Sequence, residues 1–293
     1  MQDEPRDPSP DPPGPAGNGG PGPRPDLWRT WGGLRLLVWA LACLTANAGV
    51  QAATFALTDR IFAAVAAGGL LGVLLPCALL ARGTGGSLRR DFALDRPSAG
   101  VLVWSVAAAL ASLAPTSVLA DLSTRLHPVP QHWQELYARQ LPRSGPAIVM
   151  AYAAVMLVAP VAEELLFRGI LQRLAARLWG AWPAAVLAAL AFALLHGEPW
   201  YLFGLVGVGL LMGCVWALTR SVTACAAAHA AHNGVALTMM LRADGQETAA
   251  GGFDATAATY LAASLPALAV AIAMLGRAAR LQTARRAPAS LKS

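Results

Sequence analysis

Charged residues are scarce in this chain of 293 residues, and lysine is almost missing. Only 13% of the residues are charged, whereas a soluble domain carries about 25%. Hydrophobic residues make up 56%, so the composition excludes a large soluble domain and predicts a membrane protein. The net charge of +6 rests almost entirely on arginines at the ends of apolar runs, with Lys292 as the one lysine. This placement indicates membrane topology and argues against a nucleic-acid partner.

Cysteine is also rare, and a basic N-terminal segment is missing. Cys43, Cys77, Cys214 and Cys225 each lie within an apolar run without a Cys-x-x-Cys spacing, so we predict buried thiols and no zinc site among them. Residues 1–26 contain acidic residues, nine prolines and five glycines. We predict a disordered cytosolic tail there and no secretory signal.

Eight apolar runs follow the tail, and they predict an all-α membrane protein with about eight transmembrane helices. All but the fifth reach the roughly 20 residues that a span requires. The runs cover residues 33–57, 61–80, 100–119, 147–178, 184–195, 201–218, 222–241 and 256–275. We assign residues 27–280 to the membrane domain, with a motif core at 147–242, and residues 281–293 to a basic C-terminal tail.

Two further features of these runs lead to structural predictions. The polar stretch 121–145 contains Trp133 and Tyr137 at a spacing that favours a short interfacial helix. The sixth run is rich in glycine, which favours close packing between helices. The glycines concerned are Gly204, Gly207, Gly209 and Gly213.

The distribution of basic residues predicts the orientation. With eight spans and the N-terminus inside, 17 of the 22 basic residues lie on the inner side. Because positively charged loops stay in the cytosol, we predict that both termini are cytosolic and that the protein resides in the plasma (inner) membrane.

Two adjacent carboxylates, Glu163 and Glu164, lie inside the fourth apolar run, and Arg168 follows. On a helix, Glu164 and Arg168 are one turn apart on the same face, whereas Glu163 is rotated by roughly 100°. Glu164 is therefore the predicted partner of Arg168, and Glu163 points elsewhere. Charged groups within a membrane are costly and indicate function.

Polar residues on two other apolar runs are predicted to meet these carboxylates. His196 ends the fifth run, and it lies 16 residues after Gly180, while Glu163 lies 17 residues before it. In a hairpin of two helices these side chains have nearly the same depth. His229 and Asn233 on the seventh run share one helical face, at a depth that we place in the same layer.

The three motifs together resemble the CPBP family, the CAAX-processing and bacteriocin-processing intramembrane proteases, also called type II CAAX prenyl endopeptidase-like. They are Glu163-Glu164-x-x-x-Arg168, Phe192-x-x-x-His196 and His229-x-x-x-Asn233, on consecutive apolar helices and in this order. His232 is an addition that we interpret as a packed interior histidine. The resemblance implies an endopeptidase that acts on a membrane-associated peptide or protein.

The chemistry of these residue types fits peptide hydrolysis. Glu163 is the expected general base, with His196 helping to hold the water, and His229 with Asn233 would donate to the oxyanion. We expect no cofactor. An alternative uses Zn²⁺ held by Glu163, His196 and His229, which are zinc-ligand types, although the sequence has no His-Glu-x-x-His motif.

Two other functional classes compete with the protease. Intramembrane Glu, His and Arg also build the proton relays of transporters, but a transporter often has internal repeats, and none is visible in this sequence. A non-catalytic membrane scaffold would be expected to lose motif residues, and all of them are present.

Overall fold

The structure, a computed structural model, describes residues 27–242 and 255–286. All regular elements in these ranges are helices, which agrees with the predicted all-α class. The main ones are α1 (Gly32–Thr58), α2 (Ile61–Gly83), α3 (Ala99–Leu126), α4 (Gln131–Gln140), α5 (Gly145–Trp179), α6 (Ala181–Leu195), α7 (Leu202–Thr219), α8 (Val222–Arg242) and α9 (Ala255–Arg286). The predicted N-terminal tail lies outside the described residues.

Left-handed or glycine-specific backbone conformations end three helices where breaks are predicted. Asp59 (φ 51°) ends α1, Gly180 (φ 83°) separates α5 from α6, and Arg220 (φ 55°) ends α7. Pro183 lies in the first turn of α6, where its missing N–H breaks no helical hydrogen bond. Each break lets the chain fold back on itself, so α5 and α6 form the predicted hairpin.

Six of the described helices are long and apolar enough to cross a membrane. These are α1, α2, α3, α5, the helical stretch Pro199–Thr219 that includes α7, and the part of α9 from Ala258 to Arg286. Helix α6 has 15 residues, about 22 Å at 1.5 Å per residue, against a hydrocarbon thickness of ~30 Å. Helix α8 is not among the six, so the count of eight spans remains a prediction.

Some helices extend beyond the apolar runs that predict them. Helix α3 continues to Leu126, and α9 continues to Arg286 and so includes the first residues of the predicted basic tail. Apolar composition marks the part of a helix that lies in hydrocarbon, whereas helical hydrogen bonding continues into polar residues at the interface. The apolar runs predicted from the sequence are therefore shorter than the helices in the structure.

Helix α8 lies in the interior of the bundle and positions the polar residues. It packs against α3, α5 and α7, and nine of its residues are buried. Its alanine-rich faces allow the neighbouring helices to approach closely. Because these helices surround α8, its histidines face other protein groups. Three of the four cysteines are buried and Cys214 is half-buried, in agreement with the sequence prediction.

Candidate active site

The ion pair of Glu164 and Arg168 is the buried centre of the site. Arg168 Nη1 donates to Glu164 Oε1 at 3.0 Å, and both side chains are fully buried. Both residues lie on α5, four positions apart, as the helical spacing predicts. Burying an unpaired charge would be costly, so the pairing accounts for how two ionised groups are accommodated inside the bundle.

Backbone carbonyls of α7 accept hydrogen bonds from Arg168 and from Gln172, which lies one turn further along α5. Arg168 Nη2 donates to the carbonyl of Gly209 at 2.9 Å, and Gln172 Nε2 donates to the carbonyl of Gly213 at 2.9 Å. The two donors are one turn apart on α5, and the two acceptors are one turn apart on α7. Sequence reasoning did not identify Gln172, although its position four residues after Arg168 in an apolar run was a usable signal.

Gly209 and Gly213 also allow α6 and α7 to pack closely. A Cβ atom at Gly209 would lie 2.8 Å from Cα of Ala189, and one at Gly213 would lie 2.9 Å from Cβ of Ala185. Real Cβ atoms do not approach other atoms so closely, so only glycine fits here. This agrees with the predicted packing role of the glycines in the sixth run.

His229 lies between the two glutamates. Its Nδ1 is 2.8 Å from Glu164 Oε1, and its Nε2 is 3.8 Å from Glu163 Oε2. The His229 side chain is buried, whereas 31% of the Glu163 side chain is exposed. The sequence predicted Arg168 as the partner of Glu164 but did not predict that Glu164 also contacts His229.

Asn233 is anchored to the helix that carries the glutamates. Its Nδ2 donates to the carbonyl of Val155 at 3.1 Å. Val155 belongs to a π-helical segment of α5, Ala153–Val158, and a second one, Phe167–Gln172, follows the glutamates. Such segments in α-helices are frequent at functional sites because they alter the direction of side chains and carbonyls. One of the two amide hydrogens of Asn233 remains available.

His196 lies just beyond the last residue of α6. Its Nδ1 is 2.7 Å from the carbonyl of Phe192, and its ring is exposed. The Phe192 ring lies 4.4 Å from the His196 ring, 5.8 Å from the His229 ring and 5.3 Å from the guanidinium carbon of Arg168, measured from its centroid. Phe192 therefore connects the three motifs. The described residues show no hydrogen bond between His196 and Glu163.

His232 follows His229 by three residues on α8, so the two side chains are neighbours on the helix surface. It is buried beside Ala109 of α3. The structure therefore places it among packed side chains, in line with its interpretation as an interior histidine.

The predicted zinc ligands do not form a metal-binding group. Within residues 27–242 and 255–286, no three His, Cys, Asp or Glu side chains are placed to hold one metal ion. Glu163 and His229 are close to each other. His196, in contrast, has its Nδ1 within hydrogen-bonding distance of the Phe192 carbonyl of its own helix.

Comparisons with known proteins agree with the motifs. Residues 145–235 match the family described as type II CAAX prenyl endopeptidase Rce1-like, and this segment contains all six predicted site residues. No curated protein and no solved structure matches the chain. Over residues 145–235 the chain is therefore similar to the Rce1-like type II CAAX prenyl endopeptidases, which confirms the predicted resemblance, and its apolar helices make it an integral membrane protein.

Proposed function

We propose that the protein is an intramembrane endopeptidase that hydrolyses a peptide bond in a membrane-associated peptide or protein. The observation that carries this proposal is the different environment of the two adjacent glutamates. Glu164 is buried and engaged by Arg168 and His229, whereas Glu163 is partly exposed and lies 3.8 Å from His229 Nε2. One carboxylate thus organises the site, and the other is free to act on a reactant.

Glu163 is the proposed general base. A carboxylate within hydrogen-bonding reach of a water accepts its proton as the oxygen attacks the peptide carbonyl carbon. The same carboxylic acid then returns the proton to the leaving amine nitrogen when the C–N bond breaks. The separation of 3.8 Å between Glu163 Oε2 and His229 Nε2 is too long for a direct hydrogen bond, so both atoms stay available to one reactant placed beside them.

His196 is proposed to help hold the attacking water. Its Nδ1 is engaged by the carbonyl of Phe192, and a carbonyl only accepts, so Nδ1 carries a proton. The neutral ring then presents Nε2 as an acceptor. Its position at the exposed end of α6 is accessible to water and substrate, which supports this role.

His229 and Asn233 are proposed to stabilise the oxyanion. The carboxylate of Glu164 only accepts from His229 Nδ1, so Nε2 is the nitrogen that faces the substrate, and it donates when the ring is an imidazolium. Asn233 offers its second amide hydrogen, because the first is bonded to Val155. Donors that are held in place before the reaction stabilise developing charge without a cost of reorganisation.

The proposed mechanism uses no metal. A zinc enzyme of this kind requires three protein ligands around one ion, and the geometry of Glu163, His196 and His229 does not favour such a set. The carboxylate, the imidazoles and the amide suffice for water activation and oxyanion stabilisation.

The proposed substrate class follows from the matching family and from the predicted topology. A family described as CAAX prenyl endopeptidases suggests a lipidated C-terminal tail of a membrane-bound protein. We propose that both termini lie in the cytosol and that the protein resides in the plasma (inner) membrane. Seventeen of the 22 basic residues lie on the inner side in this orientation.

The decisive experiment is cleavage of a prenylated CAAX peptide by purified protein in lipid vesicles. Glu163→Gln and His196→Ala are expected to abolish or severely reduce cleavage. Glu135→Gln and His127→Ala are the matched controls, because both residues are exposed and outside the site, and they are expected to cleave like wild type. If Glu163→Gln and His196→Ala cleave as fast as these controls, the proposed mechanism is wrong.

A further inference from the structure

Helix α4 contacts the end of the bundle where His196 is located through individual side chains, and none of its own residues is fully buried. The least exposed positions of α4 include Trp133, Tyr137 and Gln140, which recur at helical spacing, while most of its polar side chains are exposed. The Trp133 ring lies 5.7 Å from the ring of Trp200 in the connection between α6 and α7. The apolar face of the predicted interfacial helix is therefore directed at the protein.

The C-terminal end of α4 is fixed to the turn between α1 and α2. Gln140 Oε1 accepts from the backbone N–H of Ile61 at 3.0 Å, and Gln140 Nε2 donates to the carbonyl of Asp59 at 3.0 Å. Arg139 also contacts the Asp59 carboxylate at 3.3 Å. This end of the helix has a defined position relative to the transmembrane part.

The middle of α4 is bonded to the segment that follows His196. The Tyr137 hydroxyl donates to Glu198 Oε1, and Glu198 is two residues after His196. Burial, together with this hydrogen bond to a carboxylate, raises the pKa of the Tyr137 hydroxyl. The hydroxyl therefore stays protonated and remains a donor at every pH at which a cleavage assay is practical.

His196 itself has few restraints. Its ring is exposed and bonded through Nδ1 to Phe192, and the next residue, Gly197, has φ 70°, a conformation that ends the helix. Beyond this segment, the backbone N–H of Phe203 donates to Ser123 Oγ at 2.7 Å. The position of the imidazole thus depends on how the short connection after α6 is held.

We propose that Tyr137 and Glu198 are positioning residues for His196, and that α4 holds the imidazole in place through their hydrogen bond. The inference rests on the proposed function, in which His196 helps to hold the attacking water. Neither residue touches the reacting atoms. They fix the end of α6, so that His196 Nε2 keeps one direction relative to Glu163.

The kinetic test compares Tyr137→Phe, Glu198→Ala and the double variant with wild type in the vesicle assay. Each single variant is expected to lower kcat by about tenfold with little change in KM. The reason is that displacing the His196 imidazole slows the reaction more than it weakens substrate binding. The double variant is expected to be no slower than the slower single variant, since both changes remove one interaction. Glu198→Gln keeps an acceptor oxygen and is expected to restore part of kcat.

Tyr260→Phe is the matched control, because Tyr260 lies on α9 and is 63% exposed, and it is expected to leave kcat unchanged. Wild-type kcat in Tyr137→Phe overturns the inference. The inference is also overturned if the loss of kcat in the double variant equals the product of the losses in the two single variants.

A second measurement separates this inference from the proposed function. Diethyl pyrocarbonate modifies unprotonated imidazole nitrogen, and mass spectrometry gives the rate at each histidine. We expect Tyr137→Phe to change the rate at His196 severalfold and to leave exposed His127 unchanged. If wild type cleaves nothing, the proposed function fails, while the modification rates still decide the positioning. Equal rates at His196 in both proteins overturn the positioning whether or not the protein cleaves.

Discussion

His229 and Glu164 meet across two helices, with His229 Nδ1 2.8 Å from Glu164 Oε1, although 65 positions separate them in the chain. Glu164 also binds Arg168, which in turn donates to the carbonyl of Gly209. A single carboxylate therefore joins α5, α7 and α8.

Arg168→Ala is expected to lower the free energy of unfolding by about 3 kcal/mol or more, because it leaves Glu164 buried without its cation. Arg125→Ala is the matched control, since Arg125 and Asp121 form another ion pair at the same i,i+4 spacing. Arg125 is 50% exposed there, so its loss is expected to cost less than about 1 kcal/mol. Denaturant unfolding in detergent micelles measures the free energy of unfolding of both variants. Equal effects of the two substitutions would contradict the importance of burial.

Gly209→Ala is expected to destabilise the protein by about 1–3 kcal/mol, because the new Cβ would overlap Ala189 and push α6 away from α7. It is also expected to reduce cleavage, since the Gly209 carbonyl holds Arg168. Gly49→Ala serves as control. Nothing lies within 4 Å of a Cβ at Gly49, so alanine there is expected to be neutral or to gain up to about 1 kcal/mol of helix stability. Thermal unfolding of both variants checks the difference.

Asn233→Ala is expected to lower kcat by about 10²–10³-fold, the usual effect of removing one oxyanion donor. Thr238→Val, on the same helix, removes the hydrogen bond to Tyr152 and is expected to keep kcat near wild type. Single-turnover cleavage in vesicles separates the chemical step from binding. An Asn233→Ala enzyme with normal kcat and a raised KM would assign Asn233 to substrate binding instead of oxyanion stabilisation.

Metal removal is expected to leave cleavage unchanged. Wild-type protein treated with 1,10-phenanthroline and then desalted should cleave the prenylated peptide at its original rate, because the proposed mechanism uses Glu163 for water activation. A zinc protease treated in parallel shows that the chelator works under these conditions. Lost activity that returns on addition of Zn²⁺ would establish the zinc alternative.

The sequence predicted the local parts of the candidate site but missed their neighbours. The pairing of Glu164 with Arg168 follows from a spacing of four residues on one helix, which any helix imposes. By the same rule Gln172 is one further turn along, but its partner is a backbone carbonyl of Gly213, and a carbonyl has no signature in the sequence. The contact of Asn233 with Val155 was missed for the same reason.

The amino-acid sequence by itself determined the helices, their apolar character and the residues available for chemistry, because hydrophobic runs and turn residues act locally. It also supplied the three motifs that carry the resemblance, and the match over residues 145–235 confirms that resemblance. Only the tertiary structure decided how these residues combine. It placed His229 between two glutamates, directed His196 to Phe192, and packed α4 against the connection after His196. These contacts depend on how helices approach and rotate relative to one another, which the packing of glycines and side chains sets across distant parts of the chain.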